Sequence, residues 1–166
     1  PVRYLDALAR LQDDVAPLED GCARTIVEEE LGLRVSTAFS AFSDEPMASA
    51  SLGQVHRAAL RDGRPVAVKV QRPGVRERVI EDMEVIDELA HFVELHGDVA
   101  GRLGFRAMVQ QFRRALLDEL DYRIEAQSLL RLAEDLAGYD RLVIPRSIAD
   151  FTTAKVLTME LLEGRN

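Results

Sequence analysis

The residues with the clearest capacity for chemistry are Pro65-Val66-Ala67-Val68-Lys69-Val70. Strand side chains alternate between two faces. Val66, Val68 and Val70 therefore share one face, suited to a core, and Ala67 and Lys69 share the other. A flat base can lie against the small alanine while the compact ammonium charge reaches a phosphate. An alternating strand with one exposed lysine is also common on ordinary surfaces, so the chemistry depends on what stands beside it.

Upstream lies Met47-Ala48-Ser49-Ala50-Ser51-Leu52-Gly53-Gln54-Val55-His56. Small residues let backbone approach a phosphate closely, although alanine restricts φ where glycine does not. A kinase phosphate loop reads G-x-G-x-x-G-x-V before a strand, and its lysine lies in the next strand. Ala48 and Ala50 occupy the first two glycine positions, while Gly53 and Val55 keep the last two. The spacing to Lys69 suits a loop, a strand, a turn and a second strand. Arg61-Asp62-Gly63-Arg64 supplies the Asp-Gly turn of a hairpin. The plainer alternative is a small-residue turn between two strands.

Elements must position these groups. Tyr4, Leu5, Leu8, Leu11 and Val15 recur at helical spacing, Pro17 suits the start of a second helix, and Gly32 its end. Glu28-Glu29-Glu30 is read as a solvated face. From Phe39 to Val70 the chain reads as strands. A helix over Val75–Leu95 carries Val75, Val79, Met83, Ile86, Leu89 and Val93 on one stripe. After Gly97, Gly101 and Gly104, one long helix is expected over Phe105–Leu136, with Phe105, Met108, Val109, Phe112, Leu116, Leu120, Ile124, Leu129 and Leu132 inward. Strands near Val143–Phe151 and Lys155–Leu161 follow. This order predicts an α+β fold with a five-stranded antiparallel sheet.

Together the motifs resemble the UbiB/ADCK family of atypical kinase-like proteins. That family carries an Ala-rich A-x-S-x-G-Q-V-H loop and a third strand followed by Q-R-P-G-V, here Gln71-Arg72-Pro73-Gly74-Val75. The resemblance runs from about Leu11 to the end. It implies a kinase-like N-lobe over 39–166, ending at the hinge before a C-lobe, with an N-terminal helical extension over 1–38, an inserted helix and a long C-helix. It implies that Glu125 on the C-helix pairs with Lys69, and that Glu119 and Asp121 form the family's E-x-D pair. Asp121 and Glu125 stand one helical turn apart in the expected long helix, whereas Glu119 points elsewhere. Three acids on a helix are otherwise a solvated face. Met159 becomes the residue behind the adenine pocket, with the Glu160 carbonyl and the Leu162 amide pairing with the adenine edge. The nucleotide contacts implied are Ala48, Ser49, Ala50, Ser51, Gly53, Gln54, Val55, Ala67, Lys69, Met159, Glu160 and Leu162. ATP or ADP is the expected cofactor, with Mg²⁺ only alongside the C-lobe.

Other features narrow the field. A net charge of −8 disfavours nucleic-acid binding, which needs a basic footprint. Cys22 is the single cysteine, so no internal disulfide forms and a reducing, cytoplasmic compartment is expected. No apolar run approaches the roughly 18–20 residues of a membrane span. No metal-ligand spacing links His56, His91 or His96 to acids or to Cys22, and His56 is expected to be structural. Asp150-Phe151-Thr152 precedes the hinge strand, so it is not a metal-binding D-F-G. No K-x-G-Q and no H-R-D-like catalytic loop occurs in these 166 residues. The family resemblance, and not the composition, implies a parent that is an ATPase or phosphotransferase linked to isoprenoid-quinone lipid metabolism, often at membranes. The alternatives are a pseudokinase-type regulatory module and a purely structural lobe.

Overall fold

The computed structural model describes residues 18–19, 21–96, 105–139 and 141–162. The expected helix at Tyr4–Val15 lies outside them. The chain divides into two compact units, Pro1–Arg72 with Tyr122–Asn166, and Pro73–Asp121.

In the first unit, helix α1 (Cys22–Leu31) ends at Gly32 and a single turn, α2 (Val35–Ala38), leads into strands β1 (Phe39–Ser49), β2 (Gly53–Leu60) and β3 (Pro65–Gln71). The β2–β3 turn is built as its residues predict. Gly63 takes φ 87°, which a side chain would resist. The Asp62 carboxylate accepts the Arg64 amide at 3.0 Å and Nε at 2.7 Å, bonds that hold its carboxyl below the usual range. Helix α5 (Tyr122–Asp135), a short 3₁₀ turn (Ala149–Phe151) and strand β4 (Val156–Glu160) complete the unit. The second unit holds α3 (Val75–His96) and α4 (Phe105–Glu119).

The sheet is antiparallel in the order β1-β2-β3-β4. Among the described residues four strands stand where five were expected. The segment Val143–Phe151 makes only one bridge, Ser147 with Met159, before the 3₁₀ turn removes it from the ladder. Pro145 has no amide to donate there. Edge strand β1 is irregular, with register shifts around Pro46, a position an edge tolerates.

The valine face of β3 is the core face. Val66, Val68 and Val70 are fully buried with Val156, Ala58, Leu60 and Phe39, and Ala23, Val27, Val35 and Ala38 of α1 and α2 cover them. Phe151 of the 3₁₀ turn packs on Phe39 with ring centroids 5.4 Å apart. The acidic run of α1 departs from its expected role. Glu28 accepts the Val35 amide at 2.8 Å, satisfying a free donor at the start of α2, a bond worth about 1 kcal/mol. Glu30 accepts the Thr153 hydroxyl at 2.9 Å and pairs with Lys155 at 3.0 Å. Only Glu29 is a solvated face.

His56 lies on the same core face, opposite Val68 and 1% exposed. Its ring stacks on Phe42, and its Nδ1–H donates to the Ser43 carbonyl at 2.9 Å. Nε2 finds no partner among the described residues. Burial pushes the imidazole below its ordinary value of 6.5, outweighing the Ser43 hydrogen bond and the nearby Asp44 charge that raise it. Below 6.5 the unfolded chain binds a proton more readily than the folded chain, so stability falls as pH drops from 6.5 toward the lowered folded value. Urea unfolding at pH 7.5 and 5.5 should show this loss in the wild type and a flatter pH dependence in His56→Phe. Equal pH dependence in both would remove His56 as the cause.

The expected single helix from Phe105 to Leu136 is two helices. Leu120 and Asp121 donate to Leu117 and Asp118 at 3.2 and 3.1 Å, closing α4 with tight i−3 bonds. The Tyr122 amide then leaves the helical ladder altogether and donates to the Ala154 carbonyl at 3.0 Å. This break resets the helical phase. Tyr122 and Ala126 are buried on α5, whereas Ile124 and Leu132 are exposed. In the second unit Met83, Ala90 and Val109 are buried, while Ile86, Leu89, Met108 and Phe112 of the expected stripes are exposed. Arg106 ties α4 to α3 through its amide to Glu94 at 3.2 Å and a guanidinium nitrogen to Asp87 at 3.5 Å.

Candidate functional site

Pairing register builds a shelf on the face opposite the valine core. Ala48, Val55, Lys69 and Leu157 lie in one row across the four strands. Arg57, Ala67 and Met159 form the adjacent row. Ala67 is buried and Val55 and Met159 are half-buried, so a small, apolar surface lies next to a single ammonium.

Lys69 is in the middle of β3, as expected, and Lys69 Nζ meets Glu125 Oε2 at 2.7 Å. Both side chains keep partial access to solvent, 25% and 37% exposed. The pair is thus available to a ligand, and its strength in isolation is modest. Its value is geometric, because a carboxylate fixes where a flexible lysine places its charge. The same ammonium sits 4.6 Å from the Tyr122 ring centroid, a cation–π contact that fixes it from a second side. Tyr122 escaped sequence reasoning. Its signal is the spacing Tyr122, Glu125, Ala126, which puts all three on one helical face once α5 begins at Tyr122. Tyr122, Ala126 and Leu157 form a small apolar cluster with Met159 against it.

The Ala-rich loop is a tight turn between β1 and β2. Ala48 and Ser49 end β1, Ala50 to Leu52 make the turn, and Gly53, Gln54 and Val55 open β2. The Ala50 amide donates to the Gly53 carbonyl at 2.8 Å. No residue from Met47 to Val55 has a positive φ, so the backbone needs no glycine for its conformation. Gly53 is required for space instead. A methyl there would meet Tyr122 Oη at 2.6 Å and the Val70 carbonyl oxygen at 2.7 Å. Ala48, Ala50 and Ser51 are exposed. Gln54 is buried on the core face opposite Val70 and reaches the loop through Ser49, whose Oγ accepts its amide at 3.3 Å.

At the other end of the shelf, the Glu160 amide donates to Arg146 at 3.0 Å and the Leu161 amide to Pro65 at 3.2 Å. Strand alternation turns the Glu160 carbonyl toward the edge away from β3, and Leu162 lies just beyond the end of β4. Glu119 and Asp121 belong to the second unit, where Glu119 closes α4. Asp121 precedes α5, so the i, i+4 relation to Glu125 expected from one continuous helix does not apply. Among the described residues no group of three His, Cys, Asp or Glu could hold a metal ion, and no helix is long and apolar enough to cross a membrane.

Residues 10–166 match the ABC1 atypical kinase-like domain. The chain belongs to the ABC1 atypical kinase-like family. Within this family it is 39% identical over 166 residues to a chloroplastic aarF domain-containing protein kinase of Arabidopsis thaliana, covering 99% of this chain and 24% of that protein. It is 36% identical over 165 residues to a probable protein kinase UbiB of Aliivibrio fischeri, covering 99% of this chain and 30% of that one. Among solved structures it resembles the Rv3197–erythromycin complex of Mycobacterium tuberculosis, with a TM-score of 0.78 and 32% identity over 98% of this chain and 39% of that chain. This ABC1 chain thus spans about a quarter to two fifths of the proteins it matches.

Proposed function

We propose that this chain is the nucleotide-binding lobe of an ABC1-family ATPase or phosphotransferase. The observation that carries the proposal is the Lys69–Glu125 contact of 2.7 Å on the small-residue face of β3. Kinase-like sites use such a pair to hold a lysine over the α and β phosphates of a nucleotide.

The residues fit ATP or ADP. Ala67, Val55 and Met159 offer a flat apolar bed for a base. The Glu160 carbonyl and the Leu162 amide suit the two polar groups on the adenine edge. Lys69 offers the phosphates one charge, and the Ser49–Gly53 turn lies at the same end of the β2–β3 hairpin. Bound Mg²⁺ would neutralise developing phosphate charge, and its ligands on this proposal belong to a C-lobe. That C-lobe, a nucleotide and a quinone-type lipid at a membrane surface are the proposed partners of a cytoplasmic protein. The lipid link rests on the resemblance to UbiB. Alanine at 48 and 50 favours a second reading, a nucleotide-responsive pseudokinase-type module without phosphotransfer, because each methyl narrows the loop's range.

The test is titration calorimetry of the full-length protein with ADP, ATP and adenosine, followed by a phosphate-release assay with Mg²⁺. Saturable binding of ADP and ATP is the expected result. Turnover in the second assay would select the enzyme over the module. Absence of binding to all three ligands would remove both readings.

A further inference from the structure

Arg72 follows β3 by one residue and turns its guanidinium back onto the Ala-rich loop. Its Nε donates to the Ala50 carbonyl at 2.9 Å, and a terminal nitrogen donates to Ser49 Oγ at 2.8 Å. Its own amide donates to the Leu52 carbonyl at 2.9 Å. Ser49 Oγ also accepts from buried Gln54 at 3.3 Å, and the Ala50 amide closes onto Gly53 at 2.8 Å. Four of the five residues from Ser49 to Gly53 are therefore tied in place, three of them by Arg72.

The chemistry of this contact favours arginine. A guanidinium is planar and permanently charged, and it engages two acceptors at fixed angles where an ammonium is a point charge. Arg72 stands three residues beyond Lys69, just past the end of the same strand. Bonds from Arg72 to the loop thus couple the loop to the lysine. The spacing between the two is set before any ligand arrives. Alanine at position 50 stiffens the same turn from within, and Ala48 restricts the strand end that leads into it. A site arranged this way does not spend binding energy on ordering its loop.

We infer that Arg72 is a positioning residue that clamps the Ala-rich loop at a set distance from Lys69 and so tunes affinity for the diphosphate portion of a nucleotide. The inference rests on the nucleotide reading above and deepens it. It predicts a difference between ligands with and without phosphates, because the clamp acts on the loop end of the shelf and leaves the bed for the base unchanged.

The test compares Arg72→Met, Arg72→Lys and Ser49→Ala with wild type, all in the full-length protein. Without ligand, Arg72→Met should speed hydrogen exchange of the Ala50 amide by about tenfold or more, since its loop loses both guanidinium anchors at once and keeps only the backbone bond from position 72 to Leu52. With ligand, affinity for ADP and ATP should fall about tenfold while that for adenosine moves less than about twofold. Arg72→Lys should recover part of the loss. Ser49→Ala should add little on top of Arg72→Met, because the two share one interaction. Unchanged exchange in Arg72→Met would overturn the clamp. Equal losses for adenosine and ADP would make Arg72 merely structural and overturn the positioning role. A wild type that binds no adenine nucleotide would sink the nucleotide reading and the positioning role with it. Amide exchange, read without ligand, tells that failure apart from failure of the clamp itself.

Discussion

Lys69→Met in the full-length protein should weaken ADP and ATP by between about tenfold and about a hundredfold, the range set by losing a charge-assisted contact worth about 1.5–3 kcal/mol. Adenosine, which presents no phosphate, should bind as before. Folding should suffer little, because the Glu125 carboxylate left behind is 37% exposed and water can solvate it. Glu125→Gln keeps the size of the side chain and removes its charge. It should weaken the same two ligands by a smaller factor, because Lys69 stays charged and loses only its guide. In the double variant the effects should fall short of additive, as expected for groups that act through one contact. Calorimetry on the four proteins gives the cycle. Equal weakening of adenosine and ADP by Lys69→Met would show that Lys69 supports the fold and leaves phosphates alone.

The second large effect is on stability. Gly53→Ala must place a methyl 2.6 Å from Tyr122 Oη and 2.7 Å from the Val70 carbonyl oxygen. The carbonyl belongs to a laddered strand and has little room to move, so overpacking should cost about 2–3 kcal/mol and lower Tm by about 5–10 °C. Tyr122→Phe removes one of the two obstacles and should recover part of the loss. Gly138→Ala is the control, since no atom lies within 4 Å of its added methyl, and its change should stay within about 0.5 kcal/mol. Urea unfolding of wild type, Gly53→Ala, the Gly53→Ala/Tyr122→Phe double variant and Gly138→Ala measures all of this. Wild-type stability in Gly53→Ala would mean the strands yield far more easily than their packing implies.

The parts of the site legible beforehand were those governed by local periodicity. Alternation in Pro65–Val70 separated the core face from the chemical face, and the spacing from Ala48 to Lys69 placed the loop and lysine on one hairpin. The match to Glu125 came from family resemblance, because a lysine and a carboxylate 56 residues apart leave no local trace. Two things stayed hidden for the same reason. The break before Tyr122 is made by a bond to Ala154, so no signal within Phe105–Leu136 announces it, and the apolar stripe drawn through it misplaced Ile124 and Leu132. The fifth strand failed because Val143–Phe151 has strand-like residues but makes only one bridge to β4. Arg72 was visible only as part of a motif. Its hold on Ser49 and Ala50 exists only once the hairpin has folded.

The bond from the Tyr122 amide to Ala154 gives α5 the mechanics of a lever. Its fulcrum is at the first residue of the helix. Glu125 lies about 4–5 Å along the axis from that point, and Asp135 about 20 Å, at 1.5 Å per residue. A swing about the fulcrum therefore carries the far end about four times as far as the carboxylate that meets Lys69. Pushing Asp135 aside by about 4 Å shifts Glu125 by about 1 Å, enough to turn a 2.7 Å contact into one beyond hydrogen-bond reach. A rigid tilt of α5 about Tyr122 would thus reach the Lys69–Glu125 contact at about a quarter of its amplitude at Asp135.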